Sequence, residues 1–243
     1  MNADFDVELS SDPSLRRVWR LRAGLGFRSI VMLALLGGVL IGCSRQPAFR
    51  GTAVDPPRQP FDFTLRDQFG QRVRLSDLKG RVVVLTFLYS HCPDVCPLIT
   101  SNLRRTSELL DSRAPGVAFL AVTVDPGRDT VGRLYQYSRQ YGMLHRWHFL
   151  TGDPKDLRPI WDYYWVGEVT TELAGSAAYE TRLERAQKNR SGEDTERLPP
   201  GPYAVQHTAP THLIDQQGMI RVAYGSTFRP AELAEDVQTL LDR

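Results

Sequence analysis

Cys92 and Cys96, separated by three residues and each followed by a proline, are the side chains of this 243-residue chain best suited to chemistry. A thiolate is both a nucleophile and a metal ligand, so the pair could exchange disulfides or hold a soft metal. The pair follows an apolar run at 82–88, VVVLTFL, which is too short for a helix and rich in β-branched residues. Such a run reads as a strand buried on both faces. Proline disfavours the helical region for the residue before it and is at home in the first position of a helix. A helix is therefore expected from Pro97, with Ile99, Leu103, Thr106 and Leu110 on its inner face. Both sulfurs would then lie near the positive end of a helix dipole, which favours thiolate. A purely stabilising disulfide is the weaker alternative, because so short a loop constrains the unfolded chain little. Thiols at this spacing can nevertheless close a bond, with Cα atoms about 4.4–6.8 Å apart.

The elements that must position the pair follow from the rest of the chain. Residues 117–124 form a second buried strand ending at Asp125, in VDPGRDT. A right-handed crossover makes the two strands parallel and places Asp125 at the same sheet edge as the thiols, where such folds carry their sites. Asp129 or Thr130 caps the next helix, which runs to Tyr141. A hairpin is expected at 61–75 around Gly70, a short strand at 147–150, a helix at 153–164, a hairpin at 211–215 and 219–224, and an amphipathic helix at 230–241. Residues 166–206 look like an insertion, with a helical-looking ELAGSAAYETRLERAQKNR and a Pro- and Gly-rich close. The layout is α/β: a thioredoxin-like fold over 61–243 with an N-terminal β-hairpin and a charged insertion before the last hairpin.

Five arginines between Arg16 and Arg28 precede fourteen uncharged residues at 29–42 that end in Leu40-Ile41-Gly42-Cys43. A spanning helix needs about twenty residues, so the run fits the apolar core of a secretory signal. Its close resembles the lipobox of bacterial lipoproteins, in which the chain is cut before Cys43 and a diacylglycerol is attached to the sulfur. The alternative is an uncleaved anchor that spans by including residues 23–27. The arginines mark the cytoplasmic side, so either form holds the domain at a bacterial cell membrane, facing the periplasm or the outside. Residues 43–60, with Pro47, Pro56, Pro57 and Pro60, read as a linker of up to roughly 50 Å at about 3.1 Å per residue. Net charge is +2, which argues against nucleic acid as a partner. With Cys43 given to lipid, Cys92 and Cys96 remain as a pair in an oxidising compartment.

Of the five histidines, His145 and His148 flank Trp147 and read as structural, and His91 would have to fold back to share a metal with Cys92. His207 stands ahead of the strand beginning at Thr211, and in a thioredoxin fold the loop entering that strand packs against the thiol-bearing helix. HCPDVCP after one buried strand, VDPGRDT after the next, and His207-Thr208 followed by LID before a turn resemble the Sco/SenC family of copper-binding thioredoxin-fold proteins, over residues 61–241. The resemblance implies one copper held by Cys92, Cys96 and His207, with Asp125 as a supporting acidic residue near the metal. It also implies a role in building the binuclear copper site of cytochrome c oxidase, with the copper-accepting oxidase subunit as partner. Two soft thiolates and an imidazole suit Cu(I), whereas structural zinc takes four ligands; carriage of Cu(II) stays open. The insertion at 166–206 is longer than the family usually carries, and Pro210-Thr211 is similar to the proline that thioredoxins place beside their cysteines. The second reading is a thiol-disulfide oxidoreductase acting on cysteines of the oxidase subunit or other clients, served by a thiol reductant. Dedicated exchange enzymes favour two residues between the thiols and need no histidine at the position of His207. A peroxidase would need threonine where Tyr89 stands.

Overall fold

The structure, a computed structural model, describes residues 49–166, 170–173 and 203–243. Its core is a six-stranded sheet in the order β1-β10-β9-β4-β5-β6. The strands are β1 (Thr52–Arg58), β4 (Val82–Leu88), β5 (Val117–Thr123), β6 (His148–Leu150), β9 (Thr211–Ile214) and β10 (Ile220–Tyr224). All seven residues of β4 and all seven of β5 are buried. Because side chains alternate between faces, burial of every residue means that both faces are covered. β4 and β5 run parallel, in register from Val82 with Val117 to Leu88 with Thr123, so the loops that follow them leave the sheet side by side. β6 continues the parallel half, while β9, β10 and β1 are antiparallel.

Helix α1 (Val95–Leu110) buries Ile99, Leu103 and Leu110 and packs against α4 (Pro230–Leu241). Burial of each of those aliphatic side chains contributes about 1.5–3 kcal/mol. Helices α2 (Val131–Gln140) and α3 (Pro154–Tyr163) follow β5 and β6. The expected hairpin is present as β2 (Thr64–Arg66) paired with β3 (Arg72–Arg74), turned at Gly70 with φ +76°. These elements are those of the expected thioredoxin-like α/β fold.

Three expectations are corrected. First, α1 begins at Val95, two residues before Pro97. The first amides of a helix have no partner within it, so proline costs little in the first turn, and burial of the Cys96 sulfur in the core outweighs the bias against helix before proline. Second, residues 52–58, expected as linker, form edge strand β1 along β10. Proline is tolerated on an edge, where a missing donor faces solvent. Ahead of it, the Arg50 and Gly51 amides donate to the Asp236 carboxylate at 2.8 and 2.9 Å. Third, Glu172 and Leu173, the start of the helical-looking run, belong to β7 (Thr170–Leu173), which pairs antiparallel with β8 (Tyr203–Gln206). The rest of that run, residues 1–48 and Cys43 lie outside the described residues. Among the described residues the one cis peptide bond precedes Pro56, so Pro210 is trans.

Candidate metal centre

β4 delivers Tyr89, Ser90, His91 and Cys92 to its carboxyl end, and α1 carries Cys96 in its first turn. Both cysteines are free and buried, Cys96 fully. Burial by itself pushes both thiols up. For Cys92 this is outweighed by hydrogen bonds from the Cys96 thiol, the backbone amides of Cys96 and Asp94, and the Tyr89 hydroxyl, which pull it down to about 7. Cys96 is pushed well up by burial and then by donating to, and lying beside, the Cys92 sulfur. Cys92 is therefore the readier of the two to ionise, its sulfur cradled by amides at the helix start, in line with the dipole argument.

The loop is held by a residue whose role the sequence did not reveal. Asp129, fully buried, accepts from the Ser90 amide at 3.1 and 3.2 Å, the Ser90 hydroxyl at 2.5 Å and the Thr123 hydroxyl at 2.5 Å. It thereby ties the ends of β4 and β5 together. The capping role belongs to Thr130, whose hydroxyl accepts from the Arg133 amide at 3.3 Å. Burial raises the Asp129 carboxyl to about 6, against the pull of its donors. Asp129→Ala leaves those donors without an acceptor and should lower the unfolding free energy by about 3 kcal/mol, measured by urea unfolding. The carboxyl titrates higher in the folded chain than its ordinary 3.8, so the folded state takes up this proton first as pH falls. Its contribution to stability should be least above pH 6 and grow as pH falls from 7 towards 4. Asp129→Asn should remove that part of the pH slope; an unchanged slope would place the proton elsewhere.

His207 lies between β8 and β9, half-buried, with its ring edge-on to Tyr89 at 5.7 Å between centroids. Its Nδ1 is 2.7 Å from the Thr208 carbonyl. The structure thus brings Cys92 and Cys96 together and leaves His207 against Tyr89, which itself bonds Cys92. Among the described residues, no three His, Cys, Asp or Glu side chains are grouped closely enough to hold a metal ion. Asp125 is buried and paired with Arg128, whose guanidinium lies 5.8 Å over the Tyr89 ring. His91 points away from the sulfurs, with Nδ1 3.0 Å from Ser90 Oγ and Nε2 3.1 Å from Arg133. Burial and the nearby Arg133 and Arg128 lower it to about 4, so it is neutral. His145 stacks on Phe69 and His148 bonds Asp67 at 2.9 Å; both are structural, as expected. His212, buried in β9, is lowered to about 4 by burial. Tyr89 and Asp129 are the residues missed. A hydroxyl ending an otherwise apolar strand is a faint sequence signal for the first, and there was none for the second.

The same arrangement of elements recurs in known proteins. "Protein SCO2 homolog, mitochondrial" of Danio rerio is 28% identical over 179 residues, covering 73% of this chain. The chain spans 55% of that relative's length. The solution structure of apo Sco1 from Thermus thermophilus superposes with a TM-score of 0.59 at 28% identity, covering 80% of this chain and 98% of that one. The structure of Bradyrhizobium japonicum ScoI with copper bound gives a TM-score of 0.53 at 26% identity, covering 75% and 99%. Residues 53–242, from β1 through α4, match the SCO1/SenC family, and the chain belongs to it.

Proposed function

We propose that this chain is a copper chaperone: it takes up one copper ion as cargo through Cys92, Cys96 and His207 and passes it to the copper-accepting subunit of cytochrome c oxidase. The observation that carries this reading is the reduced, buried thiol pair at the head of α1, with Cys92 the readier to ionise and His207 touching the same Tyr89. The related Bradyrhizobium protein, whose structure holds copper, supports the choice of metal. Two thiolates and one imidazole make a soft trigonal set suited to Cu(I). To complete it, the His207 ring comes within bonding distance of the sulfurs through a movement of the connection that carries it. A site open to that movement can release its ion as well as hold it. Asp125, paired with Arg128 beside Tyr89, steadies the wall of the site.

The domain works at a bacterial cell membrane, facing the periplasm, held through lipidated Cys43 or an uncleaved N-terminal anchor; among the described residues no helix is long and apolar enough to cross a membrane. An anaerobic titration of the reduced full-length protein against a Cu(I) chelator should show one tightly held equivalent. No competition with the chelator would overturn the proposal.

The Cys92 thiol near 7 favours a second activity for the same pair. A thiolate with a pKa close to ambient is the best attacking group in disulfide exchange. Cys92 would attack a client disulfide and Cys96 would then displace the client thiol, leaving the client reduced and the pair oxidised, to be reset by an external thiol reductant.

A further inference from the structure

His207 sits in the four-residue connection between β8 and β9, and such a connection is free to wander unless something pins it. Here it is pinned on both sides. On the far side, the Thr208 amide donates to the Val166 carbonyl and the Thr208 hydroxyl to the Trp165 carbonyl, both at 2.7 Å. On the near side, the buried Val205 amide donates to the Tyr89 hydroxyl at 3.0 Å. A carbonyl oxygen only accepts, so the 2.7 Å contact between His207 Nδ1 and the Thr208 oxygen puts a proton on Nδ1. In the neutral ring this leaves the lone pair on Nε2, the arrangement an outer partner imposes on a metal-binding imidazole.

Tyr89 is in contact with both halves of the site. Its ring meets the His207 ring edge-on. Its hydroxyl oxygen accepts from the Val205 amide at 3.0 Å, and its carbonyl accepts from the Cys92 amide at 3.4 Å. It is wholly buried, and phenylalanine would fill the same space. A buried hydroxyl without a partner is costly, so the hydrogen bond with Val205 is what the hydroxyl contributes.

We propose that Tyr89 is a positioning residue: bonded to the Cys92 amide through its carbonyl and to the Val205 amide through its hydroxyl, it couples the thiol loop to the strand that presents His207. This rests on the reading of Cys92, Cys96 and His207 as copper ligands. Through this link the histidine's position follows the state of the thiols, and the inserted ribbon β7–β8, which returns to the fold at Val205, is joined to the site at the same point.

The test is Tyr89→Phe in the reduced full-length protein, alone and combined with His207→Ala. Tyr89→Phe should weaken Cu(I) binding about tenfold, in the range found when an outer partner of a metal ligand is removed. In the double variant it should add clearly less than that tenfold, because the part that acts through His207 is lost once that ring is gone. The Val205 amide should exchange with deuterium at least about tenfold faster in Tyr89→Phe without metal, a readout independent of copper. Val205→Pro removes the same hydrogen bond from the other side and should reproduce the loss of affinity, so the inference stays testable if Tyr89→Phe folds poorly. Unchanged affinity, unchanged exchange at Val205, or a loss that adds in full to that of His207→Ala would overturn it. If His207→Ala itself binds Cu(I) normally, the ligand assignment falls first.

Discussion

His207→Ala should bind Cu(I) about a hundredfold more weakly than the unsubstituted protein, at least the upper end of what losing a mere outer partner costs, while His145→Ala and His148→Ala bind as the parent does. The contrast follows from where the rings lie. His207 touches Tyr89, which bonds Cys92, and the proton on its Nδ1 puts the lone pair of the neutral ring on Nε2. His145 is stacked on Phe69 and His148 is held by Asp67, both outside the thiol loop. His91, the nearest in sequence to the thiols, has both ring nitrogens engaged with Ser90 and Arg133. Chelator competition under anaerobic conditions measures all four variants in one format. If His91→Ala reproduces the loss and His207→Ala does not, the imidazole ligand has been assigned to the wrong loop.

Oxidation of Cys92 and Cys96 to a disulfide should abolish Cu(I) binding altogether, and reduction with a dithiol should restore it in full. A disulfide sulfur has no anionic lone pair to offer a soft cation, and a lone imidazole does not hold Cu(I) against a chelator. The structure favours clean reversibility. Both sulfurs are buried at the head of α1, and Asp129 anchors the loop through Ser90, so the bond can close and reopen with the scaffold in place. Copper retained by the oxidised protein would put the ligands elsewhere. The same treatment bears on the exchange reading, since a pair that cycles must be reducible by a physiological thiol.

Much of this was legible in the residue order. β4 and β5 were readable because strands buried on both faces must be apolar throughout, and VVVLTFL and VAFLAVT are nearly so. The C-terminal hairpin and α4 followed from a turn at Gly218 and from an amphipathic run bounded by Pro230. The spacing of Cys92 and Cys96 announced a thiol site at a helix start. Edge strand β1 was not legible, because it is held by backbone pairing with β10 and by the Asp236 carboxylate, neither of which leaves a pattern in side-chain hydrophobicity. Asp129 and Thr130 are both good caps by residue type, and Thr130 is the one that caps the helix. Only the adjacency of β4 and β5 shows that it serves Ser90 and Thr123 instead.

The residue order by itself determined which side chains could do the chemistry and at which sheet edge they would emerge, because strand burial, turn chemistry and helix starts are local properties. Only the tertiary structure decided that Cys92 is the readier of the two thiols to ionise, that His91 is taken up by Ser90 and Arg133, and that Tyr89 stands between thiol and imidazole. Those outcomes depend on burial and on partners that only the folded chain brings together, Arg133 on His91 and Val205 on Tyr89 among them, and hydrophobic pattern does not encode them.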